Sequence, residues 1–156
     1  SPDGDYIVYP RNVDGTIRTF LYDIATSTSS ELLPYYRELA WSPDGEYLAM
    51  MTDTLRIVSF ATGEVVRKYA GLMFGSKLDW SPDGEWLSLG FNQSENLSVL
   101  NIETGQVVVV QPDGLSSCWW PSWSEDGTLL AFEAKEEGVP GIHASIWAIE
   151  FMSSEH

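Results

Sequence analysis

The sequence predicts an all-β protein assembled from a repeated four-stranded antiparallel unit. Three observations carry that prediction. A Ser-Pro-Asp-Gly tetrapeptide recurs about every 40 residues. The apolar residues after each copy fall into matching columns. No window carries a helical period.

The tetrapeptide comes first because it sets the frame. Ser1-Pro2-Asp3-Gly4 returns as Ser42-Pro43-Asp44-Gly45 and Ser81-Pro82-Asp83-Gly84, and in weaker form as Ser124-Glu125-Asp126-Gly127. Trp41, Trp80 and Trp123 precede the last three copies, and equivalent positions mostly buried between units are expected for them. Proline presets φ for the second position of a type I turn, aspartate suits the third, and glycine accepts the positive φ at the exit. The segment is read as the turn between strands A and B, in preference to a ligand loop.

Strand B follows each turn. Its columns are Tyr6, Tyr47, Trp86, Leu129; then Ile7, Leu48, Leu87, Leu130; then Val8, Ala49, Ser88, Ala131; then Tyr9, Met50, Leu89, Phe132. Adjacent columns are nearly all apolar, the mark of a strand buried on both faces. Boundaries of roughly 5–10, 46–52, 86–92 and 129–134 are expected. Strand C carries the columns Tyr22, Val58, Leu100, Ile149 and Ile24, Phe60, Ile102, Phe151. Between them lies a polar column, Asp23, Ser59, Asn101, Glu150. Tight turns at Ala61-Thr62-Gly63 and Glu103-Thr104-Gly105 lead into strand D, Glu64-Val65-Val66 and Gln106-Val107-Val108-Val109-Val110.

Tandem antiparallel units of this size are the blades of a β-propeller. The repeats run approximately 1–36, 37–75, 76–117 and 118–156 and form a single partial propeller segment. The first copy starts at its turn and lacks strand A, and the last stops after strand C. Two complete blades flanked by two partial ones are expected, as an arc of a larger propeller. The end blades would meet further blades or another chain through self-association. An eight-bladed ring of two copies is the lesser alternative.

Trp-Ser-Pro-Asp-Gly, the apolar strands and the Thr-Gly turns resemble the WD-like repeats of TolB-type β-propellers, over essentially the whole chain; the resemblance implies a turn-capping aspartate in the polar column of strand C, which the first unit alone keeps as Asp23. The fourth copy departs most, with Glu125 in place of proline and an insertion at Glu136-Glu137-Gly138-Val139-Pro140-Gly141. The resemblance implies blades used in periplasmic assembly proteins, in sensor domains and beside peptidase domains, and so favours a periplasmic or extracellular setting. Fold by itself does not imply function.

Composition narrows the functions. The 156 residues hold 8 Lys and Arg against 23 Asp and Glu, a net charge of −15. An acidic chain is a poor partner for nucleic acid or anionic lipid, and no apolar run approaches membrane-span length. Eight of the acids sit in or beside the repeated turns: Asp3, Asp5, Asp44, Glu46, Asp83, Glu85, Glu125 and Asp126. Cys118 is the one cysteine and reads as a small packing residue. His143 and His156 are the two histidines, and neither stands near a recognisable nucleophile. No metal or cofactor is expected, and no enzymatic activity. The sequons Asn92-Gln93-Ser94 and Asn96-Leu97-Ser98 matter only in a secreted eukaryotic protein.

The expected function is a non-enzymatic protein-interaction platform. Two alternatives stand beside it: a regulatory or substrate-gating propeller segment of a peptidase or other multidomain enzyme, and a glycan or small-molecule sensor domain. The binding candidates lie in the D–A connections, which are irregular and carry bulky side chains: Tyr35, Tyr36 and Arg37; Met73 and Phe74; Trp119 and Trp120. Aromatic residues and arginine are enriched in binding hot spots. The competing reading is that these residues pack between blades or start strand A. A protein or peptide partner with apolar anchors fits these side chains best.

Overall fold

A computed structural model describes residues 1–34, 36, 38–72, 77–90, 97–139 and 144–151. Fourteen strands form four antiparallel sheets, with no helix among the described residues. The chain divides into two units, Ser1–Ala70 and Gly71–His156, each built of two sheets.

In the first unit, β1 (Tyr6–Val13), β2 (Thr16–Asp23) and β3 (Thr28–Pro34) form a three-stranded sheet. A four-stranded sheet follows: β4 (Glu38–Trp41), β5 (Tyr47–Met51), β6 (Leu55–Ser59) and β7 (Val65–Tyr69). The second unit reverses the order. Its four-stranded sheet is β8 (Lys77–Trp80), β9 (Trp86–Gly90), β10 (Leu97–Asn101) and β11 (Val107–Val110). Its three-stranded sheet is β12 (Leu115–Trp123), β13 (Leu129–Glu136) and β14 (Ala144–Glu150). Each sheet is a plain up-and-down meander. β12 begins at Leu115 and so crosses the position, 117/118, at which the repeats place a boundary.

The columns of strands B and C turn out to be cross-strand partners. Ile7 faces Tyr22, Leu48 faces Val58, Leu87 faces Leu100 and Leu130 faces Ile149. One register is thus kept through all four sheets, because a slip of one residue would turn the apolar columns to the wrong face. β5 and β9 are buried on both faces after their first residue. β1 and β13 are not: β1 is half-exposed or exposed throughout, and β13 buries alternate residues.

The Ser-Pro-Asp-Gly turns hold themselves together. At each, glycine N–H donates to the serine carbonyl, at 3.1, 3.0, 2.9 and 2.9 Å in chain order. The glycines take φ of 73–79°, where a Cβ would be strained. The serine hydroxyl donates to the aspartate Oδ1 two residues on. It also accepts from the N–H of the first strand B residue, at 2.9 Å in every copy. The same Oδ1 accepts the N–H of Asp5, Glu46, Glu85 or Thr128. Glu125 replaces proline without changing this network, so the serine–aspartate pair, more than proline, defines the turn. The strand C cap recurs once: Asp23 Oδ1 accepts from Thr26 N–H, and Asn101 Oδ1 accepts from Thr104 N–H, each at 2.9 Å. The cap is therefore not confined to the first sheet, since an amide oxygen accepts as a carboxylate does.

Within each unit a three-ring cluster pins one sheet to the next. Phe60, just after β6, meets Trp41 edge-on at 4.7 Å and Tyr6 at 5.1 Å. Phe151, just after β14, meets Trp123 at 4.7 Å and Trp86 at 5.3 Å. In both cases the phenylalanine joins the strand A tryptophan of its own sheet to the first strand B ring of the preceding sheet. Of the three tryptophans expected to be mostly buried, Trp80 is, while Trp41 and Trp123 are half-buried. Below the rings, Leu48, Met50 and Val58 pack with Leu32 and Leu39 in the first unit. Leu97, Val99, Cys118, Leu130 and Phe132 form the matching core of the second. Each such side chain contributes roughly 1.5–3 kcal/mol by leaving water.

Candidate protein-interaction site

Among the described residues, β12 is the strand that combines broken pairing with positive φ, at the segment singled out for its tryptophans. Pairing of β12 with β13 is broken twice, between Ser116 and Trp119 and between Trp119 and Ser122. Ser117 and Trp120 there take φ of 53° and 52°. A bulky residue in the left-handed region costs on the order of 1–3 kcal/mol and persists only where its surroundings hold it.

The surroundings are visible. Pro121 is buried against Gly90 at the end of β9. A Cβ on Gly90 would stand 2.8 Å from Pro121 Cδ and 3.4 Å from Trp120 N, so glycine makes the close approach possible. On one side of the bulge Cys118 is fully buried in the core. On the other, Trp123 N–H donates to Asp79 Oδ2 at 2.9 Å, tying β12 to β8. With Cys118 and Pro121 sunk, Trp120 is turned outward and stays 55% exposed. Trp119 is half-buried, and the Lys135 ammonium lies 5.3 Å from its ring centre. That cation–π contact engages Trp119 within the sheet.

Trp119 and Trp120 thus lie inside a strand and not in a D–A loop, because the two bulges let β12 run through residues that break alternation. This agrees with the alternative in which these residues start strand A; the bulges themselves were not legible, because they abolish the period-2 patterning that signals a strand. Gly90, Pro121 and Asp79, which set the bulge, were not candidates; the adjacent Trp120-Pro121 pair is the one local hint.

In the first unit, Tyr36 follows β3 and is half-buried. It packs beside Leu48, Met50 and Val58. With Val8, Tyr9, Pro10, Thr19 and Leu39 it also lines a cavity of about 160 Å³. The Tyr9 hydroxyl and Ser29 Oγ are 2.9 Å apart and hydrogen-bonded, leaving an apolar pocket with a polar edge. Tyr35, Arg37, Met73 and Phe74 lie outside the described residues, as do His143 and the asparagines of both sequons.

The turn end of the strands has the opposite chemistry. Shallow depressions there are lined by Asp44, Glu46 and Tyr47 in one unit and by Glu125, Asp126 and Leu129 in the other. Hydrogen bonds from Ser124 and Thr128 hold the Asp126 carboxyl down to about 2, and the Ser1 hydroxyl lowers that of Asp3. These carboxylates are charged at neutral pH and occupied by their own turns. Burial pushes the Cys118 thiol up, away from the thiolate that a nucleophile needs.

No protein-family model matches the chain, and no curated protein does. Solved structures match over nearly its whole length. TolB from Acinetobacter baumannii superimposes with a TM-score of 0.75 at 18% identity, over 96% of this chain and 39% of that one. Hydrazine synthase from Kuenenia stuttgartiensis gives 0.68 at 21%, over 97% and 49%. The Cps50 (Swd1) β-propeller domain from Myceliophteria thermophila gives 0.67 at 16%, over 86% and 47%. The chain spans less than half the length of each of these structures. Its four sheets share the fold of β-propeller blades, as seen in TolB and in the Cps50 propeller domain.

Proposed function

We propose that the chain is a non-enzymatic protein-interaction module that binds a peptide or loop with apolar anchors. The observation that carries this reading is Trp120. A large ring is held outward, at a backbone cost, by a bulge that buried neighbours enforce. Core packing does not account for such a ring, because the bulge directs it away from the core. The cavity beside Tyr36 is a second feature of the same chemistry, sized for one small apolar side chain. Burial of Cys118 supports the non-enzymatic part, since it keeps the sole thiol protonated.

The test uses peptides selected from a random library against the 156-residue chain, with affinities measured by calorimetry. Trp120→Ala and Tyr36→Ala should each weaken binding by about 1–3 kcal/mol, as anchor truncations do, with the fold intact by circular dichroism. Unchanged affinity in both variants would reduce these rings to surface and packing residues.

A further inference from the structure

We propose that the open edge of β11 takes up an extended, basic peptide as a fifth strand of its sheet. β11 is the outermost strand there, paired with β10 on one side only. It lies in mid-sequence, in a sheet that has all four strands of the repeat. Its residues are Val107-Val108-Val109-Val110, of which the first three are 40, 38 and 57% exposed.

The register fixes which backbone groups are free. Asn101 N–H donates to the Gln106 carbonyl at 2.8 Å, which marks that pair as hydrogen-bonded. Bonded and unbonded pairs alternate along an antiparallel ladder. Val107, opposite Leu100, and Val109, opposite Ser98, therefore turn their N–H and C=O groups away from β10. A row of this kind is a template for another strand.

Two other outer strands show how such an edge is guarded. In β7, Arg67 and Lys68 stand at the register positions of Val108 and Val109, and the pairing shifts between Ile57 and Val58. β3 carries Glu31, ends at Pro34, and has a pairing shift between Thr19 and Phe20. Charge, proline and bulges are the usual blocks to strand addition. β11 has none of them, and its four pairs with β10 run without a shift.

Charge selects the occupant. The second unit carries two basic residues, Lys77 and Lys135, against thirteen acids. Lys77 lies in β8, at the opposite edge of the sheet, and Lys135 lies over the Trp119 ring. Glu103, in the turn before β11, and Asp113, in the turn after it, are exposed. Glu136 and Glu137 are exposed too, and Glu137 N–H donates to the carbonyl of Gly114, next to Asp113, at 2.9 Å. An uncharged valine strand thus has carboxylates at both ends. It fits a segment with β-branched residues in the middle and lysine or arginine at each end. A second copy, with its net charge of −15, would bring like charge against it.

The probe is a fluorescent, end-blocked peptide of about seven residues, alternating valine and threonine between terminal lysines. Binding to the 156-residue chain is followed by anisotropy, and should saturate and weaken with added salt. In amide exchange, Val107 and Val109 should gain protection while Val108 and Val110, already bonded to β10, change little. Val109→Lys, which copies Lys68 of β7, should weaken binding at least about tenfold with unchanged circular dichroism. Val109→Pro removes an outward N–H alone and should weaken it likewise. Trp120→Ala should bind the probe as the unsubstituted chain does, which separates this edge from the Trp120 site. The same peptide N-methylated at alternate residues, or ended by glutamates, should not bind. Absence of binding, or equal binding by Val109→Lys, would overturn the proposal. So would equal binding of the N-methylated or glutamate-ended peptide, loss of binding in Trp120→Ala, or self-association of the chain that Val109→Lys abolishes.

Discussion

Replacing Gly90 by alanine adds one methyl group at the place where the bulge of β12 meets β9. The new Cβ would lie 2.8 Å from Pro121 Cδ, against the 3.4 Å at which ordinary contact begins. The shortfall of about 0.6 Å cannot be absorbed by a rotamer change, since the proline ring is tied to its backbone and buried. The backbone around Trp120 and Pro121 must move instead. Overpacking of this kind costs about 1–3 kcal/mol. Reduced freedom of the unfolded chain returns about 0.4–1 kcal/mol. Taking the middle of both ranges, Gly90→Ala should therefore destabilise the second unit by about 1 kcal/mol, measured by urea denaturation. In a Pro121→Ala background, where the clashing ring is gone, the same substitution should cost nothing or stabilise. Equal stability of Gly90→Ala and the unsubstituted chain would refute the argument that a glycine-to-proline contact holds the bulge.

Three further outcomes follow from the same geometry. Ser81→Ala removes a hydroxyl that donates to Asp83 and accepts from Trp86 N–H, and should cost about 1–2 kcal/mol in chemical denaturation; Ser42→Ala should behave alike. The carboxyl of Asp126 is lowered in the folded chain to about 2, so its contribution to stability is full above the unfolded value near 3.8 and is lost as pH falls towards 2. Asp126→Asn should flatten that part of the acid-denaturation curve and leave the curve above pH 5 parallel to that of the unsubstituted chain. Cys118, fully buried and with its thiol pushed up, should resist a thiol reagent in the folded chain and react on unfolding; rapid labelling under native conditions would contradict its place in the core.

The fold was legible because the repeat writes the same residue types into the same register positions. Ile7, Leu48, Leu87 and Leu130 could be aligned by eye, and their partners Tyr22, Val58, Leu100 and Ile149 formed a second column. The turn was legible from proline and glycine, yet its working pair was serine and aspartate, whose hydrogen bonds leave no composition signal beyond their recurrence. The site was less legible. Trp119 and Trp120 stood out as bulky residues in an irregular stretch, but their different environments depend on Gly90, 30 positions away, and on Lys135. Contacts of that range follow from the fold and not from local pattern.

Amide hydrogen exchange with and without a selected peptide tests the interaction reading most directly, since it asks which end of the strands is covered. Added protection is predicted at residues 117–122 of β12 or around Tyr36, with the turns at 42–45, 81–84 and 124–127 unchanged. Protection confined to those turns would contradict it.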